Sequence, residues 1–197
     1  MSYLKYVALG AVMLLLALDV RAIEVRQVDP SKTTYGEKSP VAPNELAAFS
    51  FLVGTWKGTG KTRLPDGKVA EFGGLSWIGR YVLDGTAIAD ELHAPYPDGR
   101  PGLGITLRQY DASRKTWIVE FLNVSESFLR RQVNADSGSV TVNGPTVTVS
   151  SESPGMSIRE HYLVVDQDNF VYRLDVSTDG GRRWIEGQME MTFRRSD

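Results

Sequence analysis

The chain has 197 residues, no cysteine and a net charge of −2, with 22 basic and 24 acidic residues interspersed. That length suits one domain plus a leader and is enough to bury a core without staples. Disulfides, thiolate metal sites and a cysteine nucleophile are excluded. The Arg pairs (Arg130–Arg131, Arg182–Arg183, Arg194–Arg195) are too short to make the basic face of a nucleic-acid binder, so no nucleic-acid partner is expected.

In chain order, the first element is a leader. Residues 1–22, MSYLKYVALGAVMLLLALDVRA, place Lys5 before an apolar run from Tyr6 to Leu18, with the small Val20 and Ala22 ahead of a cleavage point. This is the layout of a secretory signal peptide. The run is short for a membrane span of roughly 20 residues, so no stable span is expected once the leader is removed, and a secreted or periplasmic location follows. Asp19 and Arg21 beside the cut keep an uncleaved anchor open as the alternative. Residues 23–43 carry three prolines and no periodicity and read as a flexible linker. Asn44 then stands as a helix N-cap before ELAAF, which predicts one short helix over 44–52, ended by Gly54.

From Gly54 to the end, residues 44–197 being one barrel domain, short β-branched and aromatic runs alternate with turn dipeptides. Asp66–Gly67, Asp84–Gly85, Asp98–Gly99, Asn143–Gly144 and Asp179–Gly180 supply the positive φ angles of tight hairpins. About ten strands are predicted, beginning near Thr55, Val69, Thr86, Leu103, Thr116, Phe128, Val140, Thr146, Ile158, Phe170 and Trp184, with the Val140 and Thr146 runs read as one hairpin or two. No second helix is available for a parallel crossover, so the pairing is antiparallel. The last strand alternates most clearly: Ile185, Gly187, Met189, Met191 and Phe193 on one face, Glu186, Gln188, Glu190, Thr192 and Arg194 on the other. About ten one-sided strands must close on themselves, so the fold class is all-β, an up-and-down barrel with one short N-terminal helix.

FSFLVGTWKGTGKT (residues 49–62), YDASRKTW (110–117) and STDGGRRW (177–184) carry a family resemblance. The Gly-x-Trp at Gly54–Trp56 behind a short helix is similar to the opening of lipocalin-like (calycin) barrels, and the three motifs together resemble the DUF1579-type family of exported, lipocalin-like bacterial proteins over residues 46–195. The resemblance implies the barrel, with Trp56 closing its floor under Arg194 or Arg195. It implies no reaction and no cofactor.

STDGGRRW is also spelled like an Asp-box, but a sialidase-type propeller needs several at regular spacing and there is one, so the stretch reads as a turn with Trp184 as its anchor. His93 and His161 have no metal-ligand spacing. Nitrobindin-like barrels, which share the Gly-x-Trp opening, hold haem through a His near the chain end, where this chain has none. GTGKT lacks the first Gly of a phosphate loop and lies in a strand pattern, and no Gly-x-Ser-x-Gly occurs. Asp90 shares a face with Ile88 and Leu92 and is the inward acid. A pair with Arg131, near Asn123, is expected either to lock the barrel or to orient a ligand.

The predicted function is binding of a small apolar or amphipathic molecule inside the barrel. The candidate lining is Trp56, Trp77, Trp117, Phe121, Tyr172, Met189 and Met191, together with Asp90, Asn123 and Arg131. Two alternatives stand beside it. One is an envelope-associated interaction protein without ligand, using outward Ile118, Leu122, Leu163 and Val165, which otherwise cover the helix. The other is an enzyme with an inward carboxylate as general base.

Overall fold

A computed structural model describes residues 36–95, 97, 99, 101–123, 130–132, 139–153 and 155–196, with the side chains of 130–132 and 153 excepted. The predicted leader lies outside the described residues. These residues form a 3₁₀ helix, Asn44–Leu52, and eleven strands: β1 Gly54–Arg63, β2 Val69–Val82, β3 Ala87–His93, β4 Leu103–Asp111, β5 Thr116–Asn123, β6 Arg130–Gln132, β7 Ser139–Asn143, β8 Thr146–Ser153, β9 Met156–Asp166, β10 Asn169–Ser177 and β11 Ile185–Arg195.

The strands make one sheet in the order β6-β5-β4-β3-β2-β1-β11-β10-β9-β8-β7, all neighbours antiparallel. The first strand therefore pairs with the last, Trp56 opposite Arg195, and the meander closes into a nearly complete lipocalin-like barrel. Its seam lies between β6 and β7. No pairing crosses it among the described residues.

The turn chemistry acts as the dipeptides require. At the β2–β3 hairpin Asp84 and Gly85 both have positive φ (59° and 73°) and Thr86 N donates to the Leu83 carbonyl at 3.2 Å, the geometry of a primed turn that matches strand twist. STDGGRRW is a turn built on one carboxylate. The Arg183 backbone N–H donates to Asp179 Oδ1 at 2.8 Å, Arg183 Nε donates to Oδ2 at 2.9 Å, and Trp184 Nε1 donates to the Gly181 carbonyl at 2.9 Å. Arg159 covers the Trp184 ring, its Cζ 3.7 Å from the centroid.

Three local expectations differ from the structure. The short helix is present over the expected residues, as a 3₁₀ helix, but Asn44 is its first residue and not its N-cap, with Pro43 at the cap position and no side-chain cap. Residues 36–43 of the expected linker lie against the barrel: Gly36 bridges Tyr81 and Ser39 N donates to the Gly85 carbonyl at 3.0 Å. Ile185 is 47% exposed because the β10–β11 register slips between Leu174 and Val176. Gly187, at φ 60°, belongs to that bulge, and beyond it the alternation no longer points Ile185 inward.

The helix plugs one end of the barrel. Leu46, Phe49 and Leu52 are fully buried. Phe49 meets Trp117 edge-on at 5.0 Å and Tyr162 at 6.0 Å, and Phe51 meets Phe170 at 5.5 Å. A Cβ on Gly79 would collide with the Leu52 carbonyl, so glycine here lets the helix end settle on β2. Because the helix packs inside the floor, it is not covered by Ile118, Leu163 or Val165, which are 36%, 41% and 58% exposed on the outer wall.

Candidate functional site: the barrel interior

The interior has three levels. The floor is the helix together with Trp56, whose ring stands edge-on to Phe170 at 4.8 Å and whose Nε1 donates to the Leu52 carbonyl at 3.1 Å. Arg195 lies over the other side of Trp56 (Cζ 4.1 Å from the centroid) and donates through a terminal nitrogen to the Val53 carbonyl at 2.9 Å. Of the two arginines that the resemblance allowed, Arg195 fills the role. Trp117 belongs to this level too, against Phe49 and Tyr110. Neither Trp56 nor Trp117 borders the two chambers described below: both pack at the helical plug instead.

Above the floor is a buried polar layer. Arg108, on β4, pairs with Asp90 on β3, and both are 1% exposed. Arg108 also donates to the Tyr162 hydroxyl at 3.0 Å and lies over the rings of Phe49 and Tyr162, at 5.1 and 5.7 Å. The expected partner of Asp90 was Arg131. The structure gives Arg108 instead, since β3 and β4 are hydrogen-bonded neighbours, whereas Arg131, on the edge strand β6, pairs through its backbone with Leu122 of β5. The side chain of Arg131 lies outside the described residues. Asp90 borders neither cavity described below, so it does not serve as a general base there.

Higher still are two adjoining chambers. The outer one, of about 280 Å³, is lined by Phe72, Met189, Met191, Asn123 and the β3–β4 loop residues Ala94, Pro95, Pro97 and Gly102. The inner one, of about 290 Å³, is lined by Trp77, Thr106, Val119, Met156, Ile158, Glu160, Tyr162 and Val176. Leu92, Phe121, Tyr172 and Leu174 border both. Gly60 and Gly104 make room for this arrangement. A Cβ on Gly60 would come within 2.7 Å of the Phe72 ring, and one on Gly104 would strike the ring of Phe121. Of the sequence-derived set, Trp77, Phe121, Asn123, Tyr172, Met189 and Met191 therefore border these chambers, while Trp56, Trp117 and Asp90 border neither.

Glu160 is the residue that sequence reasoning passed over. It stands on β9 between inward Ile158 and Tyr162 and borders the inner chamber. Oε1 accepts from the Tyr172 hydroxyl at 2.9 Å. Burial pushes its carboxyl above the ordinary range, against a smaller opposing pull from Arg108 and that hydrogen bond. Burial likewise drives the Tyr162 and Tyr172 hydroxyls up, with the Glu160 charge adding to it. Both stay protonated across the physiological range, Tyr172 donating to Glu160 and Tyr162 accepting from Arg108.

The other titratable cluster lies on the outer wall. Thr148, His161 and Asp175 run across β8, β9 and β10, with Thr148 Oγ1 3.1 Å from His161 Nδ1 and His161 Nε2 3.0 Å from Asp175 Oδ2. A hydroxyl, an imidazole and a carboxylate in line suggest a nucleophile triad. Here, however, Asp175 also receives Arg173 at 3.0 Å and the Gly187 N–H at 2.9 Å. It pins the β11 bulge, and neither barrel chamber reaches the group. Burial raises the Asp175 carboxyl, but Gly187, Arg173 and His161 outweigh it and hold the pKa below the usual range. A depressed folded pKa contributes stability that is present above the unfolded value near pH 4 and is lost as pH falls through the folded value. In acid titrations followed by circular dichroism, Asp175→Asn is expected to lower stability at pH 7 by about 1–3 kcal/mol. It should also flatten the stability loss below pH 4. An unchanged acid limb would assign that loss to other carboxylates.

Among the described residues no helix is long and apolar enough to cross a membrane, and no group of three acidic or imidazole side chains is placed to hold a metal.

Comparison with solved structures finds partial likenesses, all with TM-scores below 0.5. A protein described as Rv2717c from M. tuberculosis is 16% identical, covering 79% of this chain and 99% of that one at a TM-score of 0.44. A redesigned β barrel bound to the dye DFHBI is 14% identical, covering 74% and 100% at 0.39. An S-type phycobiliprotein lyase from Guillardia theta is 12% identical, covering 76% and 90% at 0.40. No curated protein matches the chain. Residues 43–195 match the family described as "Protein of unknown function (DUF1579)", a span running from the start of the helical plug to Arg195 over Trp56. The chain belongs to that family.

Proposed function

We propose that the protein binds a small, largely apolar molecule inside the barrel. The observation that carries this reading is the pair of chambers of about 280 and 290 Å³ above a sealed floor. Close-packed interiors rarely leave voids much larger than a water molecule, and ligand sites run to roughly 300–1,000 Å³ with mainly apolar walls and few polar groups. Met189, Met191 and Met156 give those walls adaptable, polarisable surface. Ala94, Pro95, Pro97 and Gly102, between β3 and β4, border the outer chamber. A leader-directed location outside the cytoplasm belongs to the same proposal.

Titration with Nile red tests it. Saturable binding with a blue shift is expected. Leu174→Trp, which fills space bordering both chambers, is expected to abolish the response while far-UV circular dichroism stays unchanged. No dye response, or a response that Leu174→Trp leaves intact, would overturn the proposal.

A further inference from the structure

The inner chamber contains an arrangement that a merely greasy pocket does not need. Three rings surround it in mutual contact: Trp77 to Tyr162 at 6.1 Å, Trp77 to Tyr172 at 5.9 Å and Tyr162 to Tyr172 at 5.3 Å. Phe121 supplies a fourth. The Glu160 carboxylate opens into the same space. Among the described residues only the Tyr172 hydroxyl hydrogen-bonds to it, and that bond engages one of its two oxygens. Among the described residues, Arg108 pulls on Glu160 only weakly against burial and is itself paired with Asp90. An acid in an apolar cavity without a counter-ion is costly unless it keeps its proton or acquires a partner. Burial does hold the Glu160 carboxyl above its ordinary range, as expected where that partner is missing. Aromatic faces around a carboxylate are the combination that recognises an ammonium group, through cation–π attraction and a charge-assisted hydrogen bond.

We propose that the inner chamber binds the cationic nitrogen of an amine ligand at the free oxygen of Glu160, inside the ring set of Trp77, Phe121, Tyr162 and Tyr172. The apolar body of the ligand lies against Val119, Ile158, Leu174 and Val176. This deepens the barrel-binding proposal, on which it rests, by naming the ligand class: apolar amines rather than fatty acids or neutral lipids. A carboxylate ligand would meet Glu160 as a like charge, and a neutral alcohol would gain only a hydrogen bond.

Three probes of one chain length decide it: octylamine, octanol and octanoate, each competing against Nile red in the full chain at pH 7. Octylamine is expected to displace the dye at a concentration about tenfold or more below octanol, with octanoate weakest, since a charged hydrogen bond exceeds a neutral one. In E160Q, which keeps the shape of the side chain and an acceptor for Tyr172, octylamine is expected to lose that advantage while octanol is unchanged. The wild-type ranking is decisive by itself should E160Q fold poorly. Dye binding with no preference for octylamine, or an octylamine preference that survives in folded E160Q, overturns the ammonium assignment and leaves barrel binding standing. Failure of the dye and all three probes overturns both.

Discussion

Asp90→Ala is expected to destabilise the protein by about 3–5 kcal/mol, because it strands the Arg108 guanidinium in the interior. The magnitude follows from burial. Both partners are 1% exposed, so water cannot replace the lost carboxylate, and the remaining contacts of Arg108 are one hydroxyl and two ring faces. For a chain of this size the melting temperature should fall by ~10 °C or more. Breaking such a pair is far more damaging than removing it whole. Asp90→Val combined with Arg108→Met should therefore recover most of the loss, and thermal melts of the two single variants and the double variant form the cycle that measures it. Single variants within about 0.5 kcal/mol of wild type, the range of ordinary surface changes, would show that the pair is hydrated.

The second large effect is at the floor. Trp56→Ala removes the ring that Phe170 and Arg195 cover and leaves the Leu52 carbonyl without its donor. Large aromatic truncations in cores cost about 3–5 kcal/mol. The loss should be specific to that end, because Trp56 also ties the helix to the β1–β11 closure, where it faces Arg195. Hydrogen exchange is expected to show helix 44–52 and the ends of β1 and β11 opening first. Arg195→Met should give a smaller loss at the same place, about 1–2 kcal/mol, from the cation–π contact and one carbonyl hydrogen bond. Uniform loss of protection across the barrel would instead make the floor part of a single cooperative core.

Most of the architecture was legible because period-two alternation and Asp-Gly or Asn-Gly turns are local signals. Met191 and Phe193 are buried and Thr192 and Arg194 exposed, as the pattern of the last strand requires. Ile185 departs from it because a bulge is a register event, visible only once the partner strand is known. The site was less legible for a related reason. On β4 the apolar set Leu103, Ile105 and Leu107 invites an inward assignment, yet Gly104, Thr106 and Arg108 are the buried set and Ile105 is 39% exposed. The interior needs a small residue beside Phe121 and a cation beside Asp90, and those tertiary demands override the strand's own hydrophobic pattern. Arg108 was therefore invisible, and Asp90 was matched to an arginine farther along the chain. Glu160 did leave a signal: an acid two residues from Ile158 and two from Tyr162 on an otherwise apolar face. Which tryptophans line the cavity and which seal its floor depends on where the helix docks, and residues 44–52 alone do not specify that.

The most direct measurement is a crystal structure of the protein soaked with a brominated alkane, read by the anomalous signal of bromine. Density is expected inside the barrel, in the outer chamber beside Phe72, Phe121 and Met189 or in the inner one beside Trp77 and Glu160. Side chains closed over both chambers, with bromine found only on the outer wall, would contradict the barrel as a ligand-holding vessel.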